Sequence, residues 1–122
     1  MANPRPKYAD ITGWARQQVE IALLEDRSES LLEAVIAVSM HDDDRAFAQS
    51  LCVRLSTHLH FNVRGNAVLG FGHIARVHGR LDRELVQPII RAALVDADEY
   101  VRGQAHAAKE DTEHFLKWKY ED

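Results

Sequence analysis

The pentapeptide Val-Arg-Gly-Asn-Ala at residues 63–67 returns as Val-Arg-Gly-Gln-Ala at residues 101–105, 38 positions later. Under the same shift Leu51 falls on Ile89, so the apolar positions of the preceding segment repeat as well. A period of this size is typical of helical hairpins that stack, because one hairpin cannot bury its own apolar face. The sequence therefore predicts an all-α fold, a short α-solenoid of about three helical hairpins.

Apolar residues recur at helical spacing through most of the chain, and no alternating β-branched run indicates a strand. We expect one domain over residues 11–116, with its first helix beginning at the start of that range. Residues 1–10 are expected to form a flexible N-terminal tail. Residues 117–122 form a charged C-terminal tail that frays, unless Trp118 and Tyr120 dock onto the domain.

Several residues predict where helices begin and end. Asp26 stands three positions before Glu29, a spacing typical of a capping box at the start of the second helix. Asp82 and Asp98 are suited to cap the fifth and sixth helices. Gly79 suits the position just after the fourth helix, where the backbone often turns left-handed.

Composition limits the classes of function. The 122 residues are 46% hydrophobic, enough for one packed domain. The net charge of -4 argues against a nucleic-acid partner, because phosphate binding needs a clustered basic face. No apolar run approaches the roughly 20 residues of a membrane span, and no signal-peptide pattern follows residues 1–7. The sequence predicts a cytoplasmic protein with no membrane partner.

The residue types that carry chemistry lack the required spacing. There are seven histidines, but His73 and His78 are five apart and point to different helix faces. Zinc and iron sites need three or four converging ligands, and no paired histidine motif is present. Cys52 lies on an apolar helical stripe, as is typical of a small buried hydrophobe. We expect no catalytic residue, no metal and no cofactor.

The repeated unit resembles a HEAT repeat, in which a first helix carries a proline, the turn carries an aspartate and the second helix opens with Val-Arg-x-x-Ala. The last unit has Pro88, Asp96 and Arg102 at the matching positions. The resemblance implies that the aspartate and the arginine pair across repeats. Pro88 is expected to bend the fifth helix or restart it.

The middle unit departs from this pattern at two positions. It keeps Arg64 and Ala67, but Ser50 stands at the proline position and His58 at the aspartate position. The first unit, residues 11–40, has the helix lengths without the motif, which indicates a divergent N-terminal cap.

Two glycines, Gly70 and Gly72, fall inside the predicted fourth helix. Each costs about 1 kcal/mol relative to alanine in a helix interior. A close approach would offset this cost. Either a neighbouring helix or a partner in a groove could make that approach, and the sequence leaves both open.

In a HEAT solenoid the second helices line a concave face, so polar residues offset from the core could reach a partner. The residues expected to bind it are Asn66, Leu69, His73, Arg76, Tyr100, Gln104, His106, Glu110 and Asp111. An ordinary solvated helix face is the alternative interpretation. Leu59, Phe61 and Tyr100 are candidate apolar anchors at one rim, since aromatic anchors commonly dominate binding energy.

A protein-binding function follows as the leading hypothesis. Residues 70–76, Gly-Phe-Gly-His-Ile-Ala-Arg, resemble small HEAT-like proteins of bacterial toxin–immunity systems. This resemblance implies an immunity protein, monomeric outside the complex, that neutralises a basic toxin domain such as a nuclease. One alternative is a scaffold or adaptor subunit of a larger assembly. Another is a HEAT-like enzyme, such as a DNA glycosylase or a chromophore lyase, for which this chain is short and acidic.

Overall fold

The computed structural model describes residues 13–120, and over this range the chain forms six α-helices and no strand. They are α1 (Arg16–Glu25), α2 (Ser28–His41), α3 (Arg45–Leu55), α4 (Phe61–His78), α5 (Arg83–Ala93) and α6 (Glu99–Leu116). The predicted all-α class is confirmed. The predicted N-terminal tail lies outside the described residues.

The 38-residue period is visible in the helix bounds. Helices α3 and α5 have 11 residues each, α4 and α6 have 18 each, and both pairs of starting residues differ by 38 positions. Helices α1 and α2, with 10 and 14 residues, do not share these lengths. The repeat is therefore a property of the α3–α4 and α5–α6 pairs.

Helix α4 packs against α2, α3, α5 and α6. Side chains from all six helices contribute to one core, whose largest fully buried members include Phe71, Leu31, Ile74 and Ile90. Helix α2 is buried along most of its length, which explains its nearly continuous apolar sequence.

Glycines allow two neighbouring helices to approach α4 closely. A Cβ atom on Gly70 would lie 2.6 Å from Sγ of Cys52 on α3, and one on Gly72 would lie 2.5 Å from Oδ2 of Asp111 on α6. Both distances are shorter than a Cβ atom tolerates. A neighbouring helix, rather than a partner groove, therefore accounts for both glycines.

Three of the predicted helix ends agree with the structure. Gly79 ends α4 with a left-handed φ of 66°. The carboxylate of Asp98 accepts hydrogen bonds from the first backbone N–H groups of α6. Asp82 precedes α5, but its carboxylate accepts a hydrogen bond from Nε2 of Gln49 at 2.8 Å instead of capping the helix.

The capping box predicted at Asp26 and Glu29 is wrong. Asp26 ends α1 with a left-handed φ of 51°, and Arg27 precedes α2 without a side-chain cap. The carboxylate of Asp26 is engaged by a distant histidine, described below. The first helix also begins later than predicted, because residues 13–15 are not helical and the Ala15 N–H bonds to the Gln18 side chain.

Pro88 does not restart the fifth helix. Helix α5 runs uninterrupted from Arg83 to Ala93 with Pro88 inside it. Pro88 is exposed, so the solvent side of α5 accommodates its ring.

The aromatic residues after α6 dock onto the domain. Trp118 is 7% exposed, and the hydroxyls of Tyr120 and Thr112 lie 2.6 Å apart. The carbonyl oxygen of Lys119 accepts a hydrogen bond from Nε2 of Gln87 on α5 at 2.7 Å. Residues 117–120 therefore cover α5 and α6.

Candidate functional site

The turns that join α3 to α4 and α5 to α6 are held by matching arginine contacts. Nη1 of Arg64 donates to the carbonyl oxygens six and five residues earlier, at 3.0 and 3.1 Å. Nη1 of Arg102 does the same at 2.8 and 3.1 Å. These bonds satisfy carbonyl groups in the turn and fix its path into the following helix.

Side-chain acceptors at matching positions complete both turns. Nδ1 of His58 and Oδ1 of Asp96 each accept the backbone N–H two residues later, at 3.0 and 2.9 Å. Nδ1 of His60 and Oδ1 of Asp98 accept in the same way, at 3.2 and 2.8 Å, as the N-caps of α4 and α6. Two histidines thus occupy the places that two aspartates hold in the next turn.

An ion pair joins the two repeated units. Nε and Nη2 of Arg64 donate to the two carboxylate oxygens of Asp96 at 2.9 and 3.0 Å. Arg64 holds the pKa of Asp96 below its usual range, chiefly through this hydrogen bond. The partner of Asp96 is therefore the arginine of the preceding unit, while Arg102 bonds to backbone carbonyls.

A second link connects the middle unit to the end of α1. Nε2 of His58 lies 2.8 Å from Oδ1 of Asp26, and both cross-unit pairs span 32 residues. Asp26 stands 38 positions before Arg64, and His58 stands 38 positions before Asp96. The acidic and basic partners have exchanged places, and that numerical correspondence was a signal in the sequence that could have revealed the link.

Exposed apolar side chains cluster over these turns, and we call Leu59, Phe61 and Tyr100 the rim. Leu59 is 95% exposed, Phe61 44% and Tyr100 39%. The rings of Phe61 and Tyr100 meet edge to face, with centroids 5.7 Å apart, and His60 stacks on Phe61. A shallow cleft beside them is lined by Leu59, His60, Phe61, Arg64, Ala97 and Asp98.

Tyr100 is anchored from two sides. Its hydroxyl accepts hydrogen bonds from Nδ2 of Asn66 at 2.7 Å and from Nε2 of Gln104 at 2.9 Å. Gly65 lies against the ring, since a Cβ atom there would be 2.9 Å from Cε2. Three predicted partner-binding residues therefore come together here, but Asn66 is only 5% exposed and serves the contact between α4 and α6.

Other predicted site residues lie further along α4 and α6. Burial, with the nearby Arg76, lowers the pKa of His73 to about 4. Burial raises the pKa of Asp111, which Arg76 partly opposes. Leu69 is half-buried on the same helix as His73. These side chains form a second, more enclosed group that is separate from the rim.

His106 and Glu110 lie on an outer face of α6. Both are exposed, and a Cβ atom on the nearby Gly103 would meet no atom within 4 Å. The positions 38 residues earlier on α4 are all buried, namely Gly65, Val68 and Gly72. The predicted partner-binding residues thus do not form one surface.

No family model, curated protein or solved structure matches this chain.

Two further observations concern the chemistry open to residues 13–120. Within this range no group of three or more His, Cys, Asp or Glu residues is arranged to hold a metal ion. None of the helices described is long and apolar enough to cross a membrane. Burial raises the pKa of the Cys52 thiol to about 12, so the thiol stays protonated at neutral pH.

Proposed function

We propose that this chain is a protein-binding module that uses the rim as the apolar centre of its interface. The observation that supports this most is Leu59, a leucine 95% exposed beside two exposed aromatic rings. Clustered apolar side chains at a surface are characteristic of interaction sites. The hydrogen bonds to the Tyr100 hydroxyl hold that ring in place, so little conformational entropy is lost on binding.

We further propose that the helices are stacked hairpins of the HEAT type. The matching helix bounds of the two repeated pairs support this, as do the arginine contacts that recur 38 residues apart. The Arg64–Asp96 pair supports it as well, because it links one unit to the next. In such a stack the intra-hairpin turns follow one another along one edge, where the rim lies.

The narrower proposal is that the partner is a basic toxin domain and that the chain is its immunity protein. The net charge of -4 and the resemblance of residues 70–76 support it. Exposed carboxylates near the rim include Asp26 and Glu99. Acidic side chains around an apolar centre would steer a basic partner and raise the association rate. A scaffold subunit could use the same rim, and the identity of the partner separates the two.

The test is binding to the product of the adjacent reading frame, with titration of purified proteins. Phe61→Ala is expected to weaken binding at least tenfold, because an aromatic anchor is removed. Phe115→Ala is the matched control: Phe115 is 40% exposed against 44% for Phe61, and it lies at the other end of α6. Equal loss in both variants would contradict the proposed rim.

Leu59→Ala supplies a second measurement on the same interface. Its side chain is almost fully exposed, so unfolding free energy should change by less than about 0.5 kcal/mol while affinity falls. Association should also slow with added salt if the partner is basic. An association rate that is independent of salt would remove the steering part of the proposal.

A further inference from the structure

The histidines of the α3–α4 turn are held in one protonation state. Nδ1 of His58 accepts the N–H of His60, and Nδ1 of His60 accepts the N–H of Asn62. A backbone N–H can only donate, so neither Nδ1 atom carries a proton. Both rings are therefore neutral, with the proton on Nε2. In His58 that proton is donated to Asp26 at 2.8 Å.

A second proton would place a donor where each turn needs an acceptor. The charged groups near these rings are Asp26 from α1, Arg64 from α4, and Asp96 and Asp98 from the α5–α6 turn. Asp26 would favour a charged His58 through Nε2, but it cannot restore the acceptor lost at Nδ1.

His60 is in a less favourable position for a positive charge. It is the N-cap of α4, where the helix dipole disfavours a cation, and the Arg64 guanidinium lies in the same cleft. Among the described residues, no carboxylate lies within ion-pair distance of its ring. Protonation of His60 therefore removes a cap and adds a repulsion.

The next turn has the same geometry without this sensitivity. Asp96 and Asp98 accept the equivalent N–H groups through carboxylate oxygens. A carboxylate is an acceptor through the whole range, roughly pH 5 to 8, in which histidine side chains gain their charge. One protein thus contains two matching turns, of which one can lose its acceptors on mild acidification.

We propose that the rim is gated by pH. Protonation of His58 and His60 releases the first turn of α4, and Leu59 and Phe61 move with it because they belong to that turn. Tyr100, on α6, stays in place. Partner binding at the rim is therefore strong at neutral pH and weak near pH 5; this last step rests on the proposed function.

The gate can be tested on the isolated protein by NMR. Ring nitrogen shifts at pH 7.5 should show the Nε2–H tautomer for both histidines. Protection of the amides of residues 60 and 62 from hydrogen exchange, corrected for intrinsic rates, should fall at least tenfold between pH 7.5 and pH 5. The amides of residues 98 and 100 should change less than twofold. An Nδ1–H tautomer at pH 7.5, or equal loss in both turns, would overturn the proposal.

A variant provides a second, independent readout. His60→Asp reproduces the cap that Asp98 gives α6, so the amide of residue 62 should stay protected at pH 5. His106→Asp, on the exposed outer face of α6, should leave the wild-type response unchanged. Loss of protection in His60→Asp equal to that of the wild type would count against the gate.

Binding measurements separate the gate from the proposed function. With the product of the adjacent reading frame as the probe, wild-type affinity should fall at least tenfold from pH 7.5 to pH 5, and His60→Asp should retain most of it. A rim-dependent affinity that does not change with pH would refute the gate and leave the rim standing. Failure of that probe to bind at all would count against the proposed function, while the exchange data still decide the gate.

Discussion

Gly70→Ala should destabilise the protein, although alanine is the better helix former. In an open helix interior this change gains about 1 kcal/mol. Here the new Cβ atom would lie 2.6 Å from Sγ of Cys52 and 3.2 Å from Cβ of Ser39. Both neighbours are fully buried, at 0% and 1% exposure, so neither can move aside without displacing a helix. Overpacking of this kind costs about 1–3 kcal/mol, and we expect a net loss near 1 kcal/mol.

Gly103→Ala is the matched control. It lies in α6, 38 positions after Gly65, and its new Cβ atom would meet no atom within 4 Å. This variant should gain about 1 kcal/mol, so the two melting temperatures should differ by about 8 °C, at roughly 4 °C per kcal/mol. Thermal and urea unfolding would measure the difference. Equal stability of the two variants would refute the close approach of α3 and α4 at Gly70.

Cys52→Ala in the Gly70→Ala background extends this test. Removing Sγ takes away the nearest atom, so the double variant should lose less than the two single changes added together. Strict additivity would mean that the strain lies elsewhere.

Three further outcomes follow from the structure. Trp118→Ala should cost about 3 kcal/mol in urea unfolding, because the ring is 7% exposed; an unchanged midpoint would mean that residues 117–120 do not dock. Asp96→Asn should cost about 2 kcal/mol at pH 7 by breaking the bonds from Arg64. Since the folded pKa of Asp96 is lowered, its contribution should disappear as pH falls below about 4, and curves that stay apart there would contradict the assignment. The pKa of His73 is lowered to about 4, so the unfolded chain binds its proton first and stability falls from about pH 6.5 downwards. His73→Gln should flatten that part of the profile, and an unchanged slope would exclude His73 as its source.

The repeated helices were predictable because the motif and the apolar positions shift together by 38 residues. Gly79 and Asp98 were predictable for a local reason, since a left-handed turn and an N-cap depend mostly on one residue. Asp26 failed on that same local reasoning. Its backbone turns left-handed at the end of α1 and its carboxylate bonds to His58, a contact 32 residues away that the capping pattern does not contain.

The candidate site was predicted only in part. The exposure of Leu59, Phe61 and Tyr100 agrees with their prediction as anchors at one edge. Asn66 was expected to reach a surface, but helix periodicity alone does not tell which side of α4 a neighbouring helix covers. Gly65 carried that information, because a small residue lets the ring of Tyr100 approach and bury the side chain beside it.

The polar outer side of α6 has a consequence for protein engineering. Where α4 presents Val68 and Gly72 to its neighbour, α6 presents His106 and Glu110 to solvent. Replacing these two with their α4 counterparts would expose an adhesive end that fits the opposite end of another copy. Such head-to-tail contacts do not close on themselves, so the redesigned chain should grow into filaments.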